Sequence, residues 1–408
     1  MKIVSHKNRS IYAIADQIIL SLLGLGASIV VARFAGKEQF GLYTLLFSIV
    51  LLVQGIQNSM WYSPLIALLA RTADLELKNK YRMTAFKGSI GSMVILILLM
   101  AAGFLLLGNE KIIHGDPPSV IFAVSLASIG ATLRDGLRAE SYADGSSFSA
   151  LKYTLIAASI QLTLILFVTM FGLMSANAVL TISGASLILS WMILSREKTP
   201  LLRASADYRE FIEFSRWTLP SVGVNWAGGN IQNYFAARNF GLSVVAEVNA
   251  ARLFLMPVGV AVTAWVNYFR PSVIRERASG NTLKARLIIK KSILIAVFLI
   301  PVYGVVIGSL SPVFSVVLGD EYPELRSLIF GWAVCFSLMA IRVIIFTELS
   351  ADKQGVKLQF YFGLIGFCCA VLSMMAFLEL GAVGVVISMC CLEVVQIILF
   401  LAYGRNRS

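Results

Sequence analysis

The residues that could do chemistry in this chain are a few charges and amides set inside long apolar runs. Arg252, Arg342 and Arg134 could each neutralise an anionic group such as a phosphate, and Asp16 and Glu393 are carboxylates that could titrate as ion-coupling groups. A charge at the centre of a membrane-spanning helix costs about 2.5–3.5 kcal/mol on insertion scales, so it usually faces a polar interior. Arg252 lies ~12 Å into its apolar run by helical rise, too deep for easy snorkelling. It lines a polar cavity or belongs to a buried ion pair. Arg342 is nearer an end and fits either a cavity or a snorkelled anchor. Glu393, with Gln396 one turn on, could partner an arginine or titrate. Asp16 is ~8 Å into the first run, followed by Gln17, with the same two readings. Arg134 and Arg138, one turn apart beside Asp135, fit a cavity or an anchor at a membrane face. Arg33 and Arg238 could guard an outer mouth, or cap helix C-termini where cations offset exposed carbonyls.

The amides are concentrated as well. Residues 211–237 contain Pro220, Gly223, Gly228 and Gly229 as expected interruptions, with Asn225, Trp226, Asn230, Gln232, Asn233 and Tyr234 among them. Asn225, Gly229 and Asn233 are four apart and share one helical face. Broken, amide-rich helices are tolerated in membranes where they line water or a polar ligand. The second apolar run adds Gln54, Gln57, Asn58 and Ser59. In the first, Ser21, Gly24, Ala27 and Ser28 form a small face that predicts tight helix packing.

Enzyme signatures are absent. No glycine loop ends in Gly-Lys-Ser/Thr, so no nucleotide phosphate is cradled. The two histidines, His6 and His114, fall in a tail and a loop. Cys335, Cys368, Cys369, Cys390 and Cys391 lack zinc spacing and read as small core residues. The longest expected outer loop, near 312–326, holds only Asp320, Glu321 and Glu324 as acids. No catalysis, cofactor or metal is expected.

The elements that must position these residues follow from composition. The 408 residues are 58% hydrophobic and 14% charged, against roughly 25% charged in soluble domains. Charge-poor runs of about 20 residues match a ~30 Å hydrocarbon core. Barrel strands are short and alternating, so the runs are helices. Twelve spans are expected, near 11–33, 40–62, 88–108, 118–138, 148–172, 176–195, 211–237, 244–268, 292–311, 327–349, 358–378 and 381–403. No cleavable leader is expected ahead of the first.

Loop charges orient them. With a cytoplasmic N-terminus, inside segments hold 25 of the 34 basic residues and outside segments five (Arg33, Lys37, Lys111, Arg238, Arg326). Miscounting one helix would destroy that asymmetry, so both termini are placed inside. The net charge of +12 is thus a topology signal rather than a nucleic-acid site. Val31-Ala32-Arg33-Phe34-Ala35-Gly36 also recurs as Ala236-Ala237-Arg238-Asn239-Phe240-Gly241, 205 residues on. The expected architecture is all-α, with two six-helix halves, 1–200 and 201–408, related by a pseudo-two-fold axis along the membrane normal and a site near the midplane between them.

The stretch Ala15-Asp16-Gln17, Ser21 and Ala32-Arg33-Phe34-Ala35-Gly36-Lys37-Glu38-Gln39-Phe40-Gly41-Leu42-Tyr43 resembles the N-terminal signature of Wzx-type polysaccharide (O-antigen or exopolysaccharide) flippases. These belong to a superfamily that includes multidrug extruders and the peptidoglycan-precursor flippase. The resemblance implies a bacterial inner-membrane protein that moves an undecaprenyl-pyrophosphate-linked oligosaccharide, made for surface polysaccharide, from the inner to the outer leaflet by alternating access. It implies a cationic cavity, with membrane lipids and other polysaccharide-assembly proteins as further partners. The family often has an asparagine partway along helix 1, where this chain has Leu23-Gly24-Leu25-Gly26. An ion-coupled extruder of small molecules is the alternative, and a membrane enzyme of glycan assembly a more distant one.

Overall fold

The computed structural model describes residues 6–72, 74–107, 116–195, 207–319, 321–347 and 353–405, and all regular elements among them are helical. The basic loop residues Lys2, Lys111, Arg196, Lys198, Arg203 and Arg407, with His114 and Asp320, lie outside the described residues. Two compact units divide the chain, Met1–Gly223 and Val224–Ser408.

The first unit contains α1 (His6–Phe34), α2 (Lys37–Gln57), α3 (Ser63–Arg71), α4 (Leu75–Leu107), α5 (Pro117–Ala143), α6 (Ser147–Met170), α7 (Ala176–Ser195) and the start of α8 (Arg209–Phe240). α5 starts at Pro117-Pro118, where a missing N–H costs nothing because the first helical amides have no partner anyway. It packs on α7 through two glycines. A Cβ on Gly130 would lie 2.6 Å from the Gly184 carbonyl, and one on Gly184 would lie 2.4 Å from the Leu126 backbone. This is the close approach that small residues allow in lipid. The small face of α1 behaves differently. A Cβ on Gly24 would meet nothing within 4 Å, whereas Ala27 on the same face is buried, so only part of that face is packed.

The second span is one run, Lys37–Leu69, but it is not uniform. Between α2 and α3 a π-helical turn covers Asn58–Tyr62. Pro64 causes it: with no N–H, the proline cannot bond the Met60 carbonyl. The Ser215 hydroxyl of α8 donates instead to the carbonyls of Ser59 and Met60, at 3.1 and 3.2 Å. Trp61, Tyr62, Tyr81 and Phe211 then pack as an aromatic core around this turn.

The second unit holds the rest of α8, then α9 (Leu242–Leu253), α10 (Met256–Ala278), α11 (Thr282–Ser309), the short α12 (Ser311–Leu318), α13 (Leu325–Phe346), α14 (Lys353–Ala376) and α15 (Gly381–Arg405). Here too the second span is broken. α9 and α10 meet at a 52° bend. Pro257 at the start of α10 lacks the amide that would continue the ladder. The carbonyls around the bend find side-chain donors: Tyr303 Oη reaches the Phe254 carbonyl at 2.9 Å and Trp332 Nε1 the Val248 carbonyl at 2.8 Å.

Among the described residues ten helices are long and apolar enough to cross a membrane, eleven if the bent α9–α10 pair counts as one span. All twelve expected runs fall on helices, and α8 is the remaining one. At 32 residues it is long enough, but its amides make it too polar to pass the same test. The interruption expected at Pro220 and the α8 glycines is absent, since α8 is continuous with Pro220 inside it. The breaks come instead at 58–62 and 254–255.

Candidate functional site

In the second unit, polar side chains of α8, α9 and α13 converge at the bend. Arg252 stands in the last turn of α9. Its Nη1 is 3.4 Å from the Gly229 carbonyl of α8, and its guanidinium carbon is 5.4 Å from the Trp332 ring centroid. A 3.4 Å contact is weak. Among the described residues no carboxylate lies within ion-pairing distance of it. The C-terminal end of α9 offsets part of the cation's burial cost, because a helix end carries about half a negative charge. The rest is uncompensated.

The Gly229 carbonyl also accepts from Gln232 Nε2 at 2.7 Å. Gln232 is fully buried, and its Oε1 has no hydrogen-bond partner among the described residues. Asn249, one turn before Arg252 on α9, donates to Asn233 Oδ1 at 2.8 Å. A Cβ on Gly229 would meet nothing within 4 Å, so the surface of α8 is open at this residue. The site therefore offers a guanidinium with no carboxylate partner among the described residues, next to an indole face. Such a set can hold an anion with polar groups attached. Gln232 and Asn233 belong to the amide-rich stretch seen in sequence. Asn249 and Trp332 were not singled out there. Asn249 had a usable signal, being a polar residue three positions from Arg252 on one helical face; Trp332 comes from a distant helix and had none.

Arg342, Glu393, Arg134 and Asp16 are paired. Arg342 on α13 and Glu393 on α15, the latter expected either to partner an arginine or to titrate, are each other's partner: Arg342 Nε and Nη2 both donate to the carboxylate, the latter at 3.2 Å. Arg342 is therefore an ion-paired cation, its side chain partly exposed. Arg134 Nε lies 2.9 Å from Asp135, whose other oxygen accepts from Gln54 at 2.6 Å. Asp16 is fully buried. It accepts from Arg138 Nε at 2.9 Å and from the hydroxyls of Tyr142 and Thr154, while Arg138 Nη2 also reaches Gln17 Oε1 at 3.1 Å.

The remaining candidates are dispersed. Asn225 and Asn58 are exposed, and Asn58 Oδ1 accepts from Ser63 at 3.3 Å. Asn230 donates back to the Trp226 carbonyl of its own helix at 3.0 Å. Arg33 and Arg238 are exposed in the last turns of α1 and α8. Cys335 is buried as expected, but Cys368 is exposed.

No family model matches the sequence, and no curated protein sequence matches it. Solved structures do resemble it. An inward-facing MATE-family multidrug resistance transporter of the MOP superfamily superposes with a TM-score of 0.74 at 15% identity, covering 97% of this chain and 98% of that one. The lipid II flippase MurJ in an inward closed conformation gives 0.70 at 15% identity, covering 97% and 87%. A MOP superfamily transporter from Pyrococcus furiosus, described as having a binding pocket of reverse polarity, gives 0.61 at 17% identity, covering 98% and 94%. This chain therefore has the all-helical, multi-pass membrane fold that MATE transporters of the MOP superfamily share with a lipid II flippase.

Proposed function

We propose that this protein is a transporter of the alternating-access type that carries a lipid-linked oligosaccharide, joined through a pyrophosphate, from the inner to the outer leaflet for surface polysaccharide assembly. The observation that carries this reading is Arg252, a half-buried guanidinium within an apolar helix pair, with no carboxylate partner among the described residues and a weak contact to the Gly229 carbonyl. An uncompensated cation favours an anionic cargo and disfavours the cationic drugs that an acidic pocket would take. The amides of Asn249, Asn233 and Gln232 and the Trp332 ring suit sugar hydroxyls and sugar faces next to the anion. The N-terminal resemblance to Wzx-type flippases and the fold shared with a lipid II flippase point the same way.

One observation favours the second reading, an ion-coupled small-molecule extruder. Asp16 is a fully buried carboxylate within a polar cluster, as a coupling group would be. The two separate on gene deletion. For the flippase, surface polymer disappears and single lipid-linked repeat units build up on the inner leaflet. Normal surface polymer with unchanged intermediates, together with drug hypersensitivity, overturns the flippase in favour of the extruder.

A further inference from the structure

In the second unit α10 and α11 pack as an antiparallel hairpin that turns at Gly280, where φ is 81°. Its register is set by Lys284 Nζ, 2.7 Å from Glu276 Oε1. These two residues are equidistant from Gly280, so other residues equidistant from the turn also stand level. Arg275 is then level with Arg286, and Arg270 with Lys290 and Lys291. All of these side chains are exposed. Glu276 is the sole carboxylate in the sequence of α10 and α11, and Lys284 already neutralises it. Among the described residues, none of Arg270, Arg275, Arg286, Lys290 and Lys291 has an ion-pair partner.

Depth separates this cluster from a solvated loop. α11 ends at Ser309, and a ~30 Å hydrocarbon core takes about 20 helical residues, which puts its other boundary at Lys290. Leu287, Lys291, Leu294 and Phe298 share one exposed face, so the lysines head a lipid-facing stripe. On α10, Tyr268 is exposed and Trp265 stacks on Phe269 at 5.4 Å. Such rings collect at the membrane–water interface, and Arg270 follows them directly. We infer that the α10–α11 hairpin binds the headgroup of an anionic phospholipid, its phosphate at Arg270, Lys290 and Lys291, with Arg275 and Arg286 on the side toward the turn. A zwitterionic headgroup would bring its own cation to these side chains and find no free carboxylate in the hairpin. A soluble anion would have to be drawn to the boundary, where a lipid is already held by its chains. Arg270 and Arg275 stand on the arm beyond the 52° bend, so a bound lipid fixes the far end of that broken span at the interface. The site lies within the second unit and does not depend on the cargo proposed above.

The test follows lysine acetylation by a neutral reagent, read residue by residue by mass spectrometry. The whole protein is compared in vesicles of phosphatidylcholine with and without phosphatidylglycerol. Lys152 on α6, exposed and without an ion-pair partner among the described residues, is the internal control. Phosphatidylglycerol should slow acetylation of Lys290 and Lys291 about tenfold, and of the isolated Lys152 far less, because the attraction grows with each basic residue near the surface. Replacing Arg270, Arg275 and Arg286 together by glutamine should return Lys290 and Lys291 to the rate of Lys152. No protection, or protection of Lys152 equal to that of Lys290 and Lys291, overturns the site. Equal protection by glycerol phosphate added to phosphatidylcholine vesicles overturns the lipid in favour of a soluble anion. These comparisons use the unmodified protein, so they stand even if the triple variant fails to fold.

Discussion

Gly36 and Gly241 adopt the same backbone conformation, with φ 87° at both and ψ 164° and 174°, each immediately before the second helix of its unit. They end the two copies of the sequence repeat. Positive φ with extended ψ is a region essentially reserved for glycine. The repeat is therefore preserved where it matters physically, at a turn no other residue makes cheaply, although most of the surrounding side chains differ.

Gly36→Ala and Gly241→Ala should each lower stability by roughly 1–3 kcal/mol, read as a fall in unfolding temperature of the detergent-purified protein. Gly26→Ala is the control. It is helical and a Cβ there meets nothing within 4 Å, so it should be neutral or slightly stabilising. Equal behaviour of all three would remove the backbone argument.

What could be read before the structure was governed by range. The helices were legible because apolar length and loop charge are local signals, and even the polar α8 contains an expected run, 211–237. The breaks were misplaced. Pro220 and the glycines of α8 looked like interruptions, yet the helix runs on through them, because an isolated proline in a membrane helix only loses one bond that neighbouring groups can restore. Pro64 and Pro257 lie where the two spans do deviate, and there side chains from other helices, Ser215 and Tyr303, supply donors to the altered backbone. Those partners are 151 and 46 residues away in sequence, by subtraction of their numbers. Arg342 and Glu393 were each noticed, but their pairing depends on how α13 and α15 pack, which no local pattern encodes.

That pair yields a second prediction. Removing one member of a buried ion pair strands the other and typically costs 3–5 kcal/mol, whereas replacing both is often far milder. Arg342→Met alone and Glu393→Gln alone should each reduce the unfolding temperature strongly, and the double variant should recover most of the loss. Additive losses in the double variant would mean that the two groups do not depend on each other.

Asp16 calls for a different comparison, since it has three donors rather than one. Asp16→Asn keeps the shape but removes the charge facing Arg138. Asp16→Asn should lose about as much stability as Arg138→Gln, and the two changes together should cost much less than their sum. If Asp16→Asn instead retains full thermal stability and makes transport insensitive to external pH, the carboxylate is a coupling group and the structural role fails.

Arg252 should behave in the opposite way to the paired arginines. Its guanidinium has a weak carbonyl contact and an indole face, with no carboxylate among the described residues. Its burial thus costs stability rather than contributing to it. Arg252→Leu should leave the unfolding temperature unchanged or raise it, while abolishing export of the surface polymer. Arg252→Lys keeps the charge but loses the planar fork that grips two phosphate oxygens, so it should retain only a fraction of activity. The decisive measurement pairs surface-polymer assay with thermal unfolding on the same preparations. Full export with Arg252→Leu would remove this residue from the cargo site. A large fall in stability would show instead that Arg252 holds the α9 bend together, and its lack of a partner would then say nothing about cargo.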